Sequence, residues 1–504
     1  MTEITFLALD VGTTHVKAGV LDAHGRVLAA ANHPTPVNAP AHGRAEHDPD
    51  EFWRVCAELI REVIGASGAA PAAVSIASMG EVGTIFGADN QPLYPMIAWY
   101  DTRTEPQVKQ LLQEVGKEVL FRITGQSISQ NMSLTRLMWL RENEPALFAR
   151  AARWMNVPDW IRYKLCGEIA TDYTIASRMM LFAQERRDWS DELLARTHIP
   201  RSLLPRLVPS GTAIGNVTRQ AAQETGLPET TQVVTGGHDH LVAALGAGMI
   251  GPGMLLDSSG TAESAITVLP RPLLHDEIGR AGYASYAYTA RNLAVIVGGL
   301  KSSGGMVEWF IDQFCAEERH AADESAQSVY QLLMAQVAGA PGANGVMVVP
   351  DFTGSGTPSK NPLARGAFFG LTVTHTKGDI LQAMIESTCY WLRNNLAMFE
   401  RVLGQPIHAI RAVGGGTKNP FWLQTKANIT GRVIEIPQAG EASLRGAAML
   451  AGIGAGVFAD EAAALASMPV ELRAVHPVHG YAAQYDALFP AWLAACEAAR
   501  SIKK

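Results

Sequence analysis

Two short turns carry the residue types that bind phosphate groups. Each follows an apolar run that ends in aspartate: Asp10-Val-Gly-Thr-Thr14 near the start and Asp257-Ser-Ser-Gly-Thr261 near the middle. Glycine lets a ligand approach backbone N–H donors closely, and threonine hydroxyls add further donors. A single turn of this kind is more consistent with an ordinary hairpin than with a phosphate site. The second lies 260 − 12 = 248 residues later, counted between the glycines, and this repetition favours two related phosphate-binding turns.

Asp239 lies between two histidines, directly after a predicted buried strand. A carboxylate there can accept the proton of an attacking hydroxyl, as phosphoryl transfer requires. The alternative is a capping aspartate for the helix that follows. A metal site made of His238, Asp239 and His240 is disfavoured, because adjacent residues on a loop seldom converge on one ion. Asp10, at the end of the first strand, is the better candidate to hold Mg²⁺ through water.

A third glycine-rich loop, residues 414–416, connects a predicted strand to a helix that opens with Asn419 and Pro420. Such a loop places free backbone groups and a helix N-terminus beside a ligand, although an ordinary strand-to-helix connection is an equal alternative. The pattern GxxxxGK[ST] of a Walker loop does not occur. Residues 246–251 match G-x-G-x-x-G, but they follow a helical pattern instead of a strand, which disfavours a dinucleotide site.

Trp99, Asp101 and Arg103 combine an aromatic ring with two charged groups. An aromatic face packs on sugar C–H groups while charged groups bind the hydroxyls. The three residues therefore predict either a sugar-binding segment or a surface cluster.

The elements that must position these residues follow an α/β pattern. Three short apolar runs at residues 5–9, 16–21 and 27–31 predict a meander, and residues 51–64 predict a helix with Asp48 and Pro49 at its start. Further strands are predicted at 74–77, 233–235, 254–257, 263–268 and 407–413. Helices are predicted at 133–142, 158–165, 304–314, 377–403 and 481–500. Glycines cluster at 246–253, where we place a boundary between two related halves.

Composition excludes several classes of protein. The chain has 504 residues, 47% hydrophobic and 18% charged, which are ordinary globular values. A net charge of −7 gives no support for binding nucleic acid or an anionic membrane. Five dispersed cysteines without a CxxC motif favour a reducing compartment, and no apolar run is long enough for a signal or a membrane span. We therefore expect a cytoplasmic protein.

Taken together, the motifs resemble the FGGY family of carbohydrate kinases over residues 7–456, with their segments in family order. The matching segments are Leu9-Asp-Val-Gly-Thr-Thr14, Ala98-Trp-Tyr-Asp-Thr-Arg103, Gly237-His-Asp239, Ser259-Gly-Thr261, Ala364-Arg-Gly-Ala-Phe-Phe-Gly-Leu371, Val413-Gly-Gly-Gly-Thr-Lys-Asn-Pro420 and Gly446-Ala-Ala-Met-Leu-Ala451. The resemblance implies an α/β fold with two actin-like (ribonuclease-H-like) domains and a central cleft. It implies domains at 1–250 for the sugar and 251–475 for the nucleotide. A C-terminal helix at 476–504 is expected to pack back on the first domain.

The resemblance also implies roles for individual residues. Asp239 is the expected general base, and Asp10 and Asp239 are expected to face Mg²⁺. The ATP-binding residues are expected to be Asp10, Gly12, Thr13, Thr14, Lys17, Gly260, Thr261, Gly304, Gly415 and Asn419. The substrate-binding residues are expected to be Glu81, Trp99, Asp101, Arg103, Asn131, Asp239 and His240.

Departures from the family pattern fall mostly in the sugar pocket. Gly80-Glu81 replaces the Met-His typical of xylulokinase. Glu81 is similar to the hydroxyl-binding glutamate of glycerol kinase, but the arginine that precedes it there is Gly80 here. Asn131 stands in the place of a substrate tyrosine, and His240 in that of a glutamine. Lys17 keeps the charge of an arginine but loses its bidentate fork. Residues 354–356 read Gly-Ser-Gly where Gly-Glu-Arg is common.

These observations predict an ATP- and Mg²⁺-dependent kinase of a ketopentose, a deoxyketohexose or a short polyol, with a homodimer as a possible assembly. Two other classes stay open. A non-catalytic sugar or ATP sensor could use the same scaffold, since fold alone does not fix activity. A nicotinamide-dependent dehydrogenase would use residues 246–251 and would be indifferent to Asp239.

Overall fold

The computed structural model describes residues 4–438 and 441–502. The strands of its first half are β1 (Thr5–Val11), β2 (His15–Asp22), β3 (Val27–Pro34), β4 (Glu46–His47), β5 (Ala73–Ser78), β6 (Gly83–Phe86), β7 (Met96–Ile97), β8 (Arg153–Asn156), β9 (Ala170–Asp172), β10 (Phe182–Ala183), β11 (Asp188–Trp189), β12 (Arg206–Val208), β13 (Ala213–Asn216) and β14 (Gln232–His238). Its helices are α1 (Pro49–Ser67), α2 (Glu105–Glu114), α3 (Lys117–Thr124), α4 (Ser133–Asn143), α5 (Pro145–Phe148), α6 (Val157–Cys166), α7 (Tyr173–Ser177), α8 (Asp191–Thr197), α9 (Arg219–Thr225) and α10 (Asp239–Gly246).

The second half is built from the remaining elements. Its strands are β15 (Met254–Ser259), β16 (Glu263–Leu269), β17 (Ala284–Ala287), β18 (Ala294–Leu300), β19 (Met347–Val349), β20 (Ala367–Phe369), β21 (Ala409–Val413), β22 (Val433–Pro437) and β23 (Leu472–Val475). Its helices are α11 (Asp276–Arg280), α12 (Gly304–Phe314), α13 (Ala316–Asp323), α14 (Val329–Met334), α15 (Lys377–Leu403), α16 (Pro420–Thr430), α17 (Ala442–Gly454), α18 (Glu461–Ser467) and α19 (Tyr481–Ser501).

The two large sheets share one strand pattern. In the first, the order β3-β2-β1-β5-β14 joins an antiparallel meander to two parallel strands. In the second, β18-β16-β15-β21-β22 repeats that order and those directions. The repeat of the strand–turn–strand sequence pattern is therefore a repeat of structure, and the predicted fold class of two actin-like units with a cleft between them is confirmed.

Helices α10 and α17 each follow the last parallel strand of their sheet, and they cross in the layer between the sheets. Their buried leucines and alanines pack with residues of both sheets in one core cluster. At the crossing the backbones are in close contact. A Cβ on Gly246 would lie 1.9 Å from the carbonyl oxygen of Ala442, and one on Gly446 would lie 2.0 Å from that of Val242. Gly246, the first glycine of the G-x-G-x-x-G match, is thus explained by helix packing.

The C-terminal helix α19 corrects one prediction, because it packs on the second half of the chain instead of the first. The indole of Trp492 donates to the carbonyl of Val348 (3.0 Å), and the hydroxyl of Tyr485 donates to Glu386 on α15 (3.1 Å). Arg500 forms an ion pair with Asp351 at 2.7 Å. The sequence pattern identifies an amphipathic helix, but it does not show which half of the molecule its apolar face packs against.

Helix α1 illustrates how local sequence fixes an element. Asp48 accepts hydrogen bonds from the backbone N–H groups of residues 50 and 51, and Pro49 occupies the first helical position, as predicted. Gly68 ends the helix in the left-handed conformation.

Within residues 4–438 and 441–502, none of the helices combines the length and apolarity needed to span a lipid bilayer.

Candidate active site

A cleft of about 290 Å³ opens between the two halves of the molecule. Most of its lining comes from the first half and includes five of the predicted substrate residues. Second-half residues complete the opposite wall. The lining residues are Thr13, Met79, Gly80, Glu81, Trp99, Asn131, Arg178, His238, Asp239, His240, Ser264, Tyr286 and Val297.

Asp239 is the first residue of α10 and lies at the carboxyl end of β14. Its carboxylate accepts a hydrogen bond from the backbone N–H of His240 (2.7 Å), but the N-cap residue is His238 and no side chain caps the helix, so Asp239 faces the cleft without capping α10. Burial raises the pKa of Asp239, and the charge of Glu81 adds to the rise. A raised pKa makes the carboxylate a stronger proton acceptor at neutral pH, as a general base requires.

Asp10 lies close enough to Asp239 for the charge of Asp239 to raise the pKa of Asp10. Burial is the main cause that raises the pKa of Asp10 to about 6. Ser443 is the second residue of α17, and its hydroxyl donates to the Asp10 carboxylate at 2.6 Å. No local sequence pattern indicates this contact, because the two residues are 433 positions apart.

The first glycine-threonine turn joins β1 and β2. The N–H of Gly12 donates to the carbonyl of His15 (3.0 Å), which closes the turn. The indole of Trp99 donates to the hydroxyl of Thr13 at 2.9 Å, linking the predicted phosphate and sugar residues. Lys17 is 3.4 Å from Glu441, with two-fifths of each side chain exposed, so its ammonium stays accessible to a ligand.

The second turn lies against the N-terminus of α12, and the structure brings three predicted residues together there. The N–H of Gly304 donates to the carbonyl of Gly260 (2.9 Å), and that of Gly305 donates to the carbonyl of Thr261 (3.0 Å). Gly415 begins a short 3-10 turn that follows β21, the strand next to β15. The glycine loop and the second phosphate turn therefore lie on neighbouring strands.

Asn419 has a structural task in addition to its predicted position near a nucleoside. Its side-chain oxygen accepts hydrogen bonds from the N–H groups of Phe421 (2.9 Å) and Trp422 (3.3 Å), which caps α16. Its amide nitrogen contacts the hydroxyl of Tyr330. The residue is buried, so its contact with a nucleotide stays a prediction.

Asp101 and Arg103 correct the prediction that both bind substrate. Asp101 is fully buried, and its carboxylate accepts hydrogen bonds from Arg103 (2.7 Å) and from the N–H of Ala45 (2.7 Å). Arg103 also pairs with Glu46 at 2.7 Å and lies over the ring of Trp139. Neither side chain lines the cleft. The pair fixes the loop that presents Trp99, and only the tryptophan reaches the cavity.

Several cleft residues were not among the predicted site residues, and two of them, Arg178 and His238, carry polar groups beside Glu81 and Asp239. Arg178 follows the short helix α7, and its guanidinium contacts Glu81. His238 precedes Asp239 and is kept neutral, since burial lowers its pKa well below the ordinary value. The motif around Asp239 pointed to His238, but no local pattern distinguished Arg178 from the neighbouring arginines at 186 and 187.

A buried ionic cluster supports the second turn from beneath. The ammonium of Lys426 contacts Asp257 and the hydroxyl of Ser259, and it lies 2.8 Å from Glu263. The hydroxyl of Ser303 donates to the other oxygen of Glu263 at 2.6 Å. This cluster connects β15, β16 and α16 directly below Gly260 and Thr261, and so it holds the turn in place.

The residues present fit a divalent cation held mainly by water and phosphate. Among the described residues there is no group of three or more histidine, cysteine, aspartate or glutamate side chains arranged to hold a metal. Burial is the main cause that raises the pKa of Asp10, and the negative charge of Asp239 adds to the rise, so a cation beside the two carboxylates is favoured. Mg²⁺ typically uses one or two carboxylates together with substrate phosphates.

Comparison with known proteins identifies the family. The model of the N-terminal domain of the FGGY family of carbohydrate kinases matches residues 5–246, and that of the C-terminal domain matches residues 255–455. The chain belongs to the FGGY family of carbohydrate kinases. It is 32% identical to a glycerol kinase of Delftia acidovorans, over 90% of this chain and 91% of that protein. It is 29% identical to a xylulose kinase of Bacillus subtilis, over 96% of this chain and 95% of that protein.

Among solved structures, the xylulose kinase of Rhodospirillum rubrum superimposes with a TM-score of 0.89 at 26% identity, covering 98% of each chain. As an FGGY kinase, the chain is a phosphotransferase with an alcohol group as acceptor, and it uses ATP to phosphorylate a sugar or polyol. Kinases of this family use ATP together with a divalent metal.

Proposed function

We propose that Asp239 is the general base of a kinase that transfers the γ-phosphoryl group of ATP to a hydroxyl of an uncharged sugar or polyol, with Mg²⁺ as the divalent ion. The observation that carries the proposal is the position of Asp239, at a helix N-terminus inside a cleft whose walls come from both halves. Asp10 and the two glycine-threonine turns lie at the ends of strands β1 and β15, where they are suited to receive the phosphates.

The proposed reaction uses residues with distinct tasks. Glu81 accepts a hydrogen bond from one substrate hydroxyl and so orients the substrate. Asp239 accepts the proton of the attacking hydroxyl as its oxygen forms a bond to the γ-phosphorus and the bond from phosphorus to the bridging oxygen of ADP breaks. Asp10 and Asp239 would hold Mg²⁺, and the ion would neutralise part of the phosphate charge.

The lining of the cleft favours a small uncharged substrate. Its volume of about 290 Å³ is at the small end of ligand pockets, which are roughly 300–1,000 Å³. Two carboxylates, Glu81 and Asp239, face it together with a single arginine, so an anionic sugar is disfavoured. A ketopentose, a deoxyketohexose and a short polyol all fit this description. Gly80-Glu81, in place of the Met-His typical of xylulokinase, weighs against xylulose.

The first test measures ADP release with Mg·ATP across D-xylulose, D-ribulose, L-fuculose, erythritol, glycerol and gluconate. One of the uncharged compounds is expected to stimulate ADP release. Asp239→Asn is expected to lower kcat by about 10²-fold or more, because general-base catalysis contributes that much. Asp50→Asn, at an exposed position on α1, is the matched control and is expected to retain activity.

A result without stimulation by any compound, while ATP still binds, would favour a sugar or ATP sensor. Equal activity of wild type and Asp239→Asn would refute the general-base role and leave the kinase assignment standing.

A cytoplasmic location and a homodimer remain proposals as well. All five cysteines are free, four of them buried, as expected for a protein kept in a reducing compartment. Light scattering on the purified chain distinguishes a monomer from a dimer.

A further inference from the structure

The guanidinium of Arg178 connects both walls of the cleft. Its Nε donates to Glu81 at 2.7 Å, a terminal nitrogen also contacts the same carboxylate oxygen, and the other donates to the side-chain oxygen of Gln126 at 3.1 Å. Its Cζ lies 5.8 Å from the ring centre of Tyr286, which belongs to the second half. The side chain is about one-sixth exposed (17%), and it lines the cavity.

Position 80 is glycine because Arg178 and His238 occupy the space beside it. A Cβ at Gly80 would lie 2.8 Å from Cδ2 of His238 and 3.1 Å from Cγ of Arg178. The next residue, Glu81, has a φ of +64°, a backbone conformation that is costly for a side chain of this kind. The Glu81 side chain contacts Arg178, so a guanidinium from the end of α7 lies beside the glutamate.

Two buried polar atoms around Arg178 have no hydrogen-bond partner in the part of the chain that the structure describes. They are Nε2 of Gln126 and Nδ1 of His238. Only His238 of the two lines the cavity, with Nδ1 3.4 Å from Asp239 Oδ1, and an unpaired buried polar atom beside a cavity indicates a polar occupant. Arg178 itself keeps donors for that occupant, because a guanidinium has five N–H groups and Glu81 and Gln126 do not use all of them.

We infer that Arg178 is a substrate-contacting residue that makes the cleft selective for two neighbouring oxygen atoms, one bound by Glu81 and the other by Arg178. The inference rests on the proposed function, because the occupant is its sugar or polyol substrate. Glu81 accepts a hydrogen bond from a substrate hydroxyl, and Arg178 donates to the oxygen on the adjacent carbon. The chemical class is thus a vicinal diol or an α-hydroxy ketone.

The contact with Tyr286 gives this pair a second consequence. Arg178 belongs to the first half and Tyr286 to the second, so the guanidinium lies where the halves meet across the substrate. A substrate oxygen bound to Arg178 therefore lies close to Tyr286, in the wall that the second half contributes.

The experiment compares Arg178→Met and Arg178→Lys with wild type, each also in an Asp239→Asn background. Binding is measured by calorimetry with the six compounds of the ADP-release test and with a deoxy analogue of the best one that lacks one of the two neighbouring oxygen atoms. Arg178→Met is expected to weaken binding of the best compound and raise its KM by about 10²-fold, with the KM for ATP unchanged, because one charged hydrogen bond contributes ~1.5–3 kcal/mol. Arg178→Lys is expected to be intermediate, since it keeps the charge but loses the fork.

Discrimination against this deoxy analogue distinguishes substrate contact from a structural role. Wild type is expected to prefer the parent compound, and Arg178→Met is expected to lose that preference. Guanidinium chloride at sub-denaturing concentration is expected to restore part of the binding to Arg178→Met. Arg187→Met serves as the control, since Arg187 is a half-buried arginine nine residues later that donates to Asn292 and does not line the cleft. Thermal unfolding of every variant checks that it folds.

The outcomes separate this inference from the proposed function. Unchanged binding and unchanged discrimination in Arg178→Met, with wild type active and Asp239→Asn impaired, would overturn the inference alone. Binding that depends on Arg178, in a protein that phosphorylates none of the compounds, would support the inference and contradict the proposed phosphorylation of these compounds. Absence of binding of every compound to wild type would overturn the inference.

Discussion

At the residue scale, two pairs of arginine and carboxylate near the cleft have opposite tasks. Arg178 and Glu81 line the cavity and retain capacity for a ligand, whereas Asp101 and Arg103 are buried and satisfied by each other, Ala45 and Glu46. Burial alone would raise the pKa of Asp101, but the hydrogen bonds from Arg103 and Ala45 lower it overall.

Asp101→Asn is expected to destabilise the protein while leaving the KM for the sugar unchanged. Removing one partner of a buried ion pair lowers the free energy of unfolding by roughly 3–5 kcal/mol. Thermal unfolding and steady-state kinetics measure the two effects separately. Glu81→Gln is the comparison, since it is expected to raise that KM through the loss of a charged acceptor. A higher KM in Asp101→Asn with an unchanged melting temperature would show that Asp101 contacts the substrate.

At the scale of elements, the C-terminal helix is attached through a buried carboxyl group. Glu386 on α15 accepts hydrogen bonds from Tyr485 of α19 (3.1 Å), from Gln382 (2.9 Å) and from the N–H of Gly342 (3.1 Å). Burial is the main cause that raises its pKa from the ordinary 4.5 to about 7. The folded protein therefore holds this proton more tightly than the unfolded chain does.

Glu386→Gln is expected to flatten the dependence of stability on pH. Because the folded-state pKa is raised, stability relative to the unfolded chain is highest below pH 4.5 and decreases as the pH rises from 4.5 to about 7. The loss amounts to roughly 3 kcal/mol across that window. The glutamine keeps an acceptor oxygen and has no proton to lose, so the difference in unfolding midpoint between variant and wild type is expected to grow with pH. An equal difference at all pH values would show that Glu386 titrates normally.

At the scale of the whole molecule, the crossing of α10 and α17 sets how the two halves meet. Both helices begin at the cleft, where they carry Asp239 and Ser443, and their glycines are in contact deeper between the sheets. A change at the crossing therefore alters both the packing of the halves and the position of the proposed base.

Gly446→Ala is expected to lower stability by about 1–3 kcal/mol and to lower kcat, because its methyl group requires the helices to separate. Gly251→Ala is the control, since a Cβ there meets nothing within 4 Å. Thermal unfolding and ADP release under saturating sugar measure both effects. Wild-type stability in Gly446→Ala would show that the crossing relaxes without cost.

The sequence by itself determined the local elements. The helices at 304–314 and 377–403 have the predicted bounds, and the strands at 254 and 263 begin where predicted, since apolar spacing, caps and turns are written in adjacent residues. The repeated glycine-threonine turns also predicted the repeated sheets. Asp239, Glu81, Trp99, Asn131 and His240 were recognised by motif, and the structure places all five at one cleft.

Only the tertiary structure decided which distant side chains meet. Arg178 reaches Glu81 across 97 residues, and Ser443 reaches Asp10 across 433. Tertiary contacts also decide that α19 packs on the second half and that Asp101 is buried away from the cleft. Such contacts depend on sheet register and on the angle at which helices cross. Local patterns carry no information about either, because many pairings bury the same apolar faces.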